Sequence, residues 1–169
     1  MYILYLVPET DVARALYTAA ANAYESKPYG ERDAGFDLYS AAGTVSESAP
    51  SPTRLSQQVI AAFYDDARGH YRAFYMLPRS SFPHTMRLTN GVGLIDAGYR
   101  GLIRASLVGS AEIEANRRIV QLATPDLLPW DRVVVVDAIP GGPTARGAGG
   151  FGSTGAGAVS GEPVMSYFT

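Results

Sequence analysis

Apolar or alternating runs at residues 55–64, 71–77, 85–88, 103–108, 118–122 and 133–138 are short, and turn-forming Gly, Pro, Asn and Asp punctuate the chain between them. A chain interrupted this often has isolated strands to build with, and strands of this length bury their faces by stacking into a sandwich or closing into a barrel. The expected class is all-β. Asp65-Asp66-Ala67-Arg68-Gly69 reads as a hairpin loop between two of the strands, and residues 42–53, rich in Ser, Pro and Ala, read as a surface loop. The 169 residues suffice for one domain with a real core and are too few for two comfortable ones. No internal repeat is evident.

The ends differ from this β texture. Residues 1–7 are apolar but are followed at once by Pro8, Glu9 and Asp11, which is too short for a signal peptide or a membrane span, so they read as a first strand. Residues 11–24 are Ala-rich, open on the acidic N-cap type Asp11, and carry apolar residues at helical spacing, which predicts one helix. From Pro140 onward Gly dominates and periodicity stops. The expected division is a β body over residues 1–140 and a flexible tail over 141–169 that leaves the body and orders when something binds it.

Composition removes several chemistries. The chain has no Cys and two His, so disulfides, thiolate metal sites, a Cys nucleophile and a His-rich metal site are not expected. The net charge of −2 gives no general field for nucleic acid or an anionic membrane, and neither is expected as a partner. Any attraction for phosphate must be local. Arg146-Gly147-Ala148-Gly149-Gly150-Phe151-Gly152-Ser153-Thr154-Gly155 has the parts for it: glycines that let N–H groups approach phosphate oxygens, a guanidinium fork, two hydroxyls and an aromatic face. By composition alone it reads first as a linker.

Four further segments stand in order before it: Ala34-Gly35-Phe36-Asp37-Leu38-Tyr39-Ser40, Pro78-Arg79-Ser80-Ser81, Asn90-Gly91-Val92-Gly93-Leu94-Ile95-Asp96-Ala97-Gly98-Tyr99-Arg100-Gly101 and Arg118-Ile119-Val120-Gln121-Leu122. Asp96 lies between apolar Leu94-Ile95 and turn-forming Ala97-Gly98, a position that by itself reads first as a turn cap and that also suits a general base. Tyr99 alone reads as a cross-strand aromatic. Gly91 and Gly93 permit close approach of backbone to a ligand, or serve an ordinary hairpin turn. Arg79 beside Ser80 and Ser81 suits phosphate or a solvated loop. Asp37 is either a turn carboxylate or a metal-water contact. Arg118 and Gln121, three apart in an alternating strand, face opposite sides unless a bulge intervenes.

Together the five segments, spanning residues 34–155, resemble the ordered motifs of the trimeric deoxyuridine triphosphatases (dUTPases). The resemblance implies a jelly-roll-like subunit, a homotrimer, and hydrolysis of dUTP to dUMP and pyrophosphate, which limits uracil in DNA and supplies dUMP for dTMP synthesis. It implies that Asp96 activates the water attacking the α-phosphorus, that Tyr99 lies under the deoxyribose and rejects UTP, and that the hairpin at 90–99, through Asn90, Gly93, Leu94 and Ile95, mimics pairing with uracil. Arg79, Ser80, Ser81 and Gln121 would bind phosphates. Arg146, Phe151, Gly152, Ser153 and Thr154 would close over the nucleotide, Phe151 covering the base. Magnesium (Mg2+) is implied as cofactor, held mainly by the triphosphate, with Asp37 touching it through water. In the family the tail and the uracil hairpin of one site come from different chains, and a soluble intracellular location is expected. The chain departs from the family at Ser81, usually Gly; at Val120, commonly Ala; and at Asn116, near a usual Gly that Asn can replace in a left-handed conformation.

Two other readings remain at this level. A dCTP deaminase shares the fold and the Arg-Ser-Ser form, but its acid would fall near Ser106, and the first Glu downstream is Glu112. A dUTPase-like regulatory protein without catalysis would have no need to keep Asp96, Tyr99, Arg79, Arg146 and Phe151 together.

Overall fold

The computed structural model describes residues 1–89 and 91–150. Among these residues are twelve strands and one α-helix, and no helix is long and apolar enough to cross a membrane. The larger sheet has the order β12 (Arg132–Val135), β1 (Tyr2–Pro8), β4 (Thr53–Asp65), β9 (Leu102–Gly109), β7 (Met86–Leu88), with β5 (His70–Arg72) also on β4. The second sheet has the order β2 (Gly35–Asp37), β11 (Val120–Ala123), β6 (Phe74–Pro78), β8 (Gly93–Ile95). A two-stranded ribbon joins β3 (Gly43–Val45) to β10 (Ala111–Ile113), so part of the region expected to be a surface loop is paired. The class is all-β as predicted.

Period-two alternation decides which faces turn inward. In β1, Leu4 and Leu6 are fully buried, and in β4 Leu55, Val59, Ala61 and Phe63 point the same way. Trp130 stands between the sheets, edge-on to Phe63 of one at 5.1 Å and to Phe74 of the other at 6.3 Å. Its indole N–H donates to the Leu122 carbonyl at 3.3 Å, so the one polar atom of a wholly buried ring is satisfied. Each such side chain contributes roughly 1.5–3 kcal/mol relative to exposure.

The helix α1 (Asp11–Glu25) buries Ala13, Tyr17, Ala21 and Tyr24 in a single stripe. Its N-cap is Thr10, whose hydroxyl accepts from the Ala13 amide at 3.1 Å; the cap thus lies one position before the expected Asp11, which sits in the first turn. The Tyr17 hydroxyl donates to Gln57 O at 2.6 Å and accepts from Tyr39 N at 2.9 Å. Burial raises its pKa.

Two left-handed non-glycine residues brace the region beside β2. At the irregularity of β4 between Ser56 and Ile60, Gln58 has φ 57°, and Asn116 has φ 65°. The Gln58 amide donates to Tyr39 O, Ser40 O and the Asn116 side chain at 3.0–3.2 Å, which offsets the backbone cost. The left-handed Asn anticipated at 116 is present.

Candidate active site

The stretch expected to be a hairpin at 90–99 is a crossing between sheets. β7 pairs with β9, whereas β8 pairs with β6, and the turn between them starts where Gly91, at φ 59°, donates to Leu88 O at 3.2 Å. Gly93 faces Met76 across the ladder; a Cβ there would meet the Met76 methyl at 3.0 Å and its carbonyl at 3.3 Å. Among the described residues β8 is the edge of its sheet, and no described strand pairs with the main-chain groups along its outer side.

Where β8 ends, the chain turns through Asp96 and Tyr99, the Tyr99 amide donating to Asp96 O at 3.0 Å. Arg100 clamps the turn: Nη1 donates to Ala97 O at 3.0 Å and to Tyr99 O at 2.8 Å, while the guanidinium stacks 4.6 Å above the Tyr71 ring. The Tyr99 ring folds back over Gly101, and its hydroxyl donates to Leu102 O at 3.0 Å. Burial raises the Tyr99 pKa, and the nearby Arg104 and Arg146 partly offset it.

Residues 144–150 lie against this turn, so that part of the tail does not leave the body. The Thr144 hydroxyl donates to Gly98 O and accepts from Gly147 N at 3.1 Å; the Arg100 amide donates to Gly147 O at 2.8 Å. Arg146 Nη2 reaches Asp96 Oδ2 at 2.9 Å, and Arg146 Nε donates to Gly149 O at 3.1 Å. With both side chains over a third exposed, this ion pair holds under about 1 kcal/mol. The cavity it borders is about 250 Å³, lined by Gly93, Ile95, Asp96, Tyr99, Arg104 and Arg146 among others, with Leu94 at its rim.

A second cluster forms on the opposite flank of β6, where β11 and β2 lie. Arg79 Nε pairs with Asp37 Oδ1 at 2.6 Å, and Arg118 Nη1 pairs with Asp37 Oδ2 at 3.2 Å. Arg79 Nη1 also donates to Ser81 Oγ at 3.2 Å, so the hydroxyl standing in place of a usual Gly props the guanidinium. Gln121 lies over Gly35, where a Cβ would come within 2.6 Å of its Cδ, and donates to Pro78 O at 3.1 Å. Asp37, Arg79, Ser80 and Gln121 line a cavity of about 230 Å³. No residue lines both this cavity and the one at Asp96.

The structure thus gathers the sequence-predicted residues into two groups. Asp96, Tyr99, Gly93, Leu94, Ile95 and Arg146 form one; Asp37, Arg79, Ser80, Ser81 and Gln121 form the other, with Arg118 tied to a carboxylate. Arg146, expected to close over the nucleotide, pairs with Asp96. Asn90, Phe151, Gly152, Ser153 and Thr154 lie outside the described residues. Sequence reasoning missed Arg104, Arg100 and Thr144. Arg104 was findable in principle, because Ile103 and Ala105 are buried and the residue between them in an alternating strand must face outward, toward Tyr99.

The order of the motifs along the folded chain invites comparison with known proteins. The sequence model of the dUTPase family matches residues 22–155. The chain belongs to the dUTPase family. Among similar curated proteins, the deoxyuridine 5′-triphosphate nucleotidohydrolase of Polynucleobacter asymbioticus is 35% identical over 128 residues, covering 72% of this chain and 82% of that protein. The protein of the same name from Xanthomonas campestris pv. campestris is 38% identical over 133 residues, covering 74% and 82%. That of Thermobifida fusca is 35% identical over 137 residues, covering 77% and 72%. The dUTPase match begins within α1, so β1 and the first turns of the helix precede it.

Proposed function

We propose that this dUTPase-family chain hydrolyses dUTP to dUMP and pyrophosphate, keeping uracil out of DNA and supplying dUMP. The observation that carries the reading is Asp96 at the end of an edge strand, sharing one cavity with Tyr99 and a guanidinium. Each part has a physical task. Uracil offers an acceptor, a donor and an acceptor along one edge, and the free edge of β8 offers complementary main-chain groups, whereas cytosine would leave them buried without partners. The Tyr99 ring packs under the deoxyribose and leaves no space for a 2′-hydroxyl. Asp96 takes the proton of the water that attacks the α-phosphorus in line, and pyrophosphate leaves. The charge that develops on the phosphate oxygens is met by Arg79, Arg146 and Arg104. As the triphosphate enters it competes for the Arg146 guanidinium, which frees Asp96 Oδ2.

The dUTPase family generally uses a divalent metal ion. Among the described residues no three His, Cys, Asp or Glu side chains group to hold one, and Asp37 has one oxygen on each of two guanidiniums. The donors do not form a resident metal site. In this reading a divalent ion would be held mainly by the substrate's own phosphate oxygens, where it would offset their charge, and Asp37 orients Arg79.

The deaminase alternative loses ground on placement. Ser106 is 5% exposed and accepts from the Thr89 hydroxyl at 2.8 Å, and Glu112 pairs with Thr44 on the outlying ribbon, lining neither cavity. The two separate clusters favour a homotrimer in which chains share sites. Pyrophosphate release compared for dUTP, UTP, dTTP and dCTP tests the assignment: dUTP alone should turn over, and ammonia from dCTP would sink it. Asp96→Asn should bind dUTP and lose turnover by about 10²–10⁴-fold. Undiminished turnover would remove Asp96 as the base.

A further inference from the structure

We infer that Tyr17, on a helix that lies largely before the dUTPase match, is a positioning residue for the Asp37–Arg79 cluster: its hydroxyl holds the main chain two residues beyond Asp37 and so sets the guanidinium that takes the phosphates. This inference rests on the reading of Arg79 as a phosphate contact of dUTP.

Among the described residues β2 is the edge of its sheet, and the chain beyond it stays beside residues 117–120. Leu38 N donates to Val120 O and Ser40 N to Arg117 O, both at 3.0 Å. Alternation turns the main-chain groups of Tyr39 the other way, where no described strand pairs with them. Two side chains take them instead. The Tyr17 hydroxyl accepts from Tyr39 N at 2.9 Å, and the Gln58 amide donates to Tyr39 O at 3.2 Å. Tyr17 also donates to Gln57 O at 2.6 Å, so one oxygen ties the irregular stretch of β4 to the segment that follows Asp37.

That segment is continuous with the cluster. Asp37 stands two residues before Tyr39 and holds Arg79 Nε at 2.6 Å and Arg118 Nη1 at 3.2 Å. Arg79 is fixed to the other side of the same stretch, its amide donating to Ile119 O at 3.0 Å and its Nη1 to Arg118 O at 3.3 Å. Residues 117–120 thus carry residues 38–40 on one side and Arg79 on the other, and the Asp37–Arg79 ion pair joins the two. Tyr17 is fully buried and lines neither cavity, so it reaches the cluster through the main chain of Tyr39. Its ring packs edge-on against the Tyr39 ring at 5.3 Å. Replacing it with Phe keeps that packing and deletes one oxygen, leaving Tyr39 N and Gln57 O without that partner. The segment can regain those bonds only by shifting, and Asp37 shifts with it.

Tyr17→Phe should raise KM for dUTP about three- to tenfold, the worth of one hydrogen bond. A hydroxyl that only stabilised the fold would lower the folded fraction, hence the apparent kcat, and leave KM where it was. The second readout is the affinity of each chain for a non-hydrolysable α,β-imido analogue of dUTP, measured by calorimetry in a cycle with Arg79→Ala. Tyr17→Phe should weaken binding in the native background by the same factor and have no further effect beside Arg79→Ala, because the side chain through which it acts is gone. An unchanged KM, or effects that multiply independently in the double variant, would overturn the inference while dUTP turnover by the native chain keeps the reading. A native chain that released no pyrophosphate from dUTP would remove the reading and the inference together. Should Tyr17→Phe fail to fold, Gln58→Gly accepts φ 57° and removes the amide from Tyr39 O, and it should raise KM in the same way. An unchanged KM in that variant counts against the inference equally.

Discussion

Tyr99 owes its place to a missing side chain two positions on. Its ring lies over Gly101, where a Cβ would come within 2.6 Å of Tyr99 Cζ and closer still to the hydroxyl. Gly101→Ala should therefore push the ring from the sugar position, lowering kcat/KM for dUTP about tenfold and narrowing the gap to UTP, with little change in melting temperature. An unchanged dUTP-to-UTP ratio would count against Tyr99 as the sugar platform. Asp96 and Tyr99 were legible in the sequence because the motif fixes them at a turn after a strand. Thr144 was not, because a lone Thr between Pro143 and Arg146 has no periodicity to mark it, and its role appears only when Gly98 is brought beside it by folding. Ser81 was legible as a departure, though its effect was not: a hydroxyl that props Arg79 is a matter of geometry within the turn that follows β6.

At the scale of elements, β9 is fastened at its end by a glycine. Gly109 has φ 121°, and a Cβ there would strike Thr85 O and lie 2.9 Å from Met86 Cα, both backbone atoms that cannot swing aside. Gly109→Ala should cost about 2–4 kcal/mol, read as a lower denaturant midpoint. A change below about 0.5 kcal/mol would mean that β7 is free to move off β9. The sequence showed most strands through their apolar runs, and the helix through its Ala-rich stripe. It did not show that residues 71–77 split between two sheets, nor that β7 and β8 part company, because each strand satisfies the same alternation whichever sheet it joins. Ribbon strands of three residues at 43–45 and 111–113 are too short to leave a period at all.

For the molecule as a whole, the start of β1 is a carboxylate-rich anchorage. Burial alone would raise the Asp65 carboxyl, but the Arg68 amide and the Arg72 and Arg68 guanidiniums outweigh it and hold the pKa below the ordinary value. Asp126 is likewise lowered: burial opposes, and the hydroxyls of Tyr2 and Thr124 prevail. Both groups bind protons more readily unfolded than folded. Their stabilisation is complete above about pH 5, a unit above the unfolded values, and is lost as pH falls through the folded values. Melting temperature should hold steady down to about pH 5 and then fall, and Asp65→Asn should flatten that acid limb. An unaltered limb in the variant would show that these anchors do not set acid stability. The same strand also fixes an order of events during synthesis. β1 lies between β4 and β12, so during synthesis it gains one neighbour when residue 65 has emerged and the other only after residue 135. Until then it carries an open edge beside apolar side chains, and the nascent chain is most exposed to mispairing over the interval in which nearly all of its site has already been made.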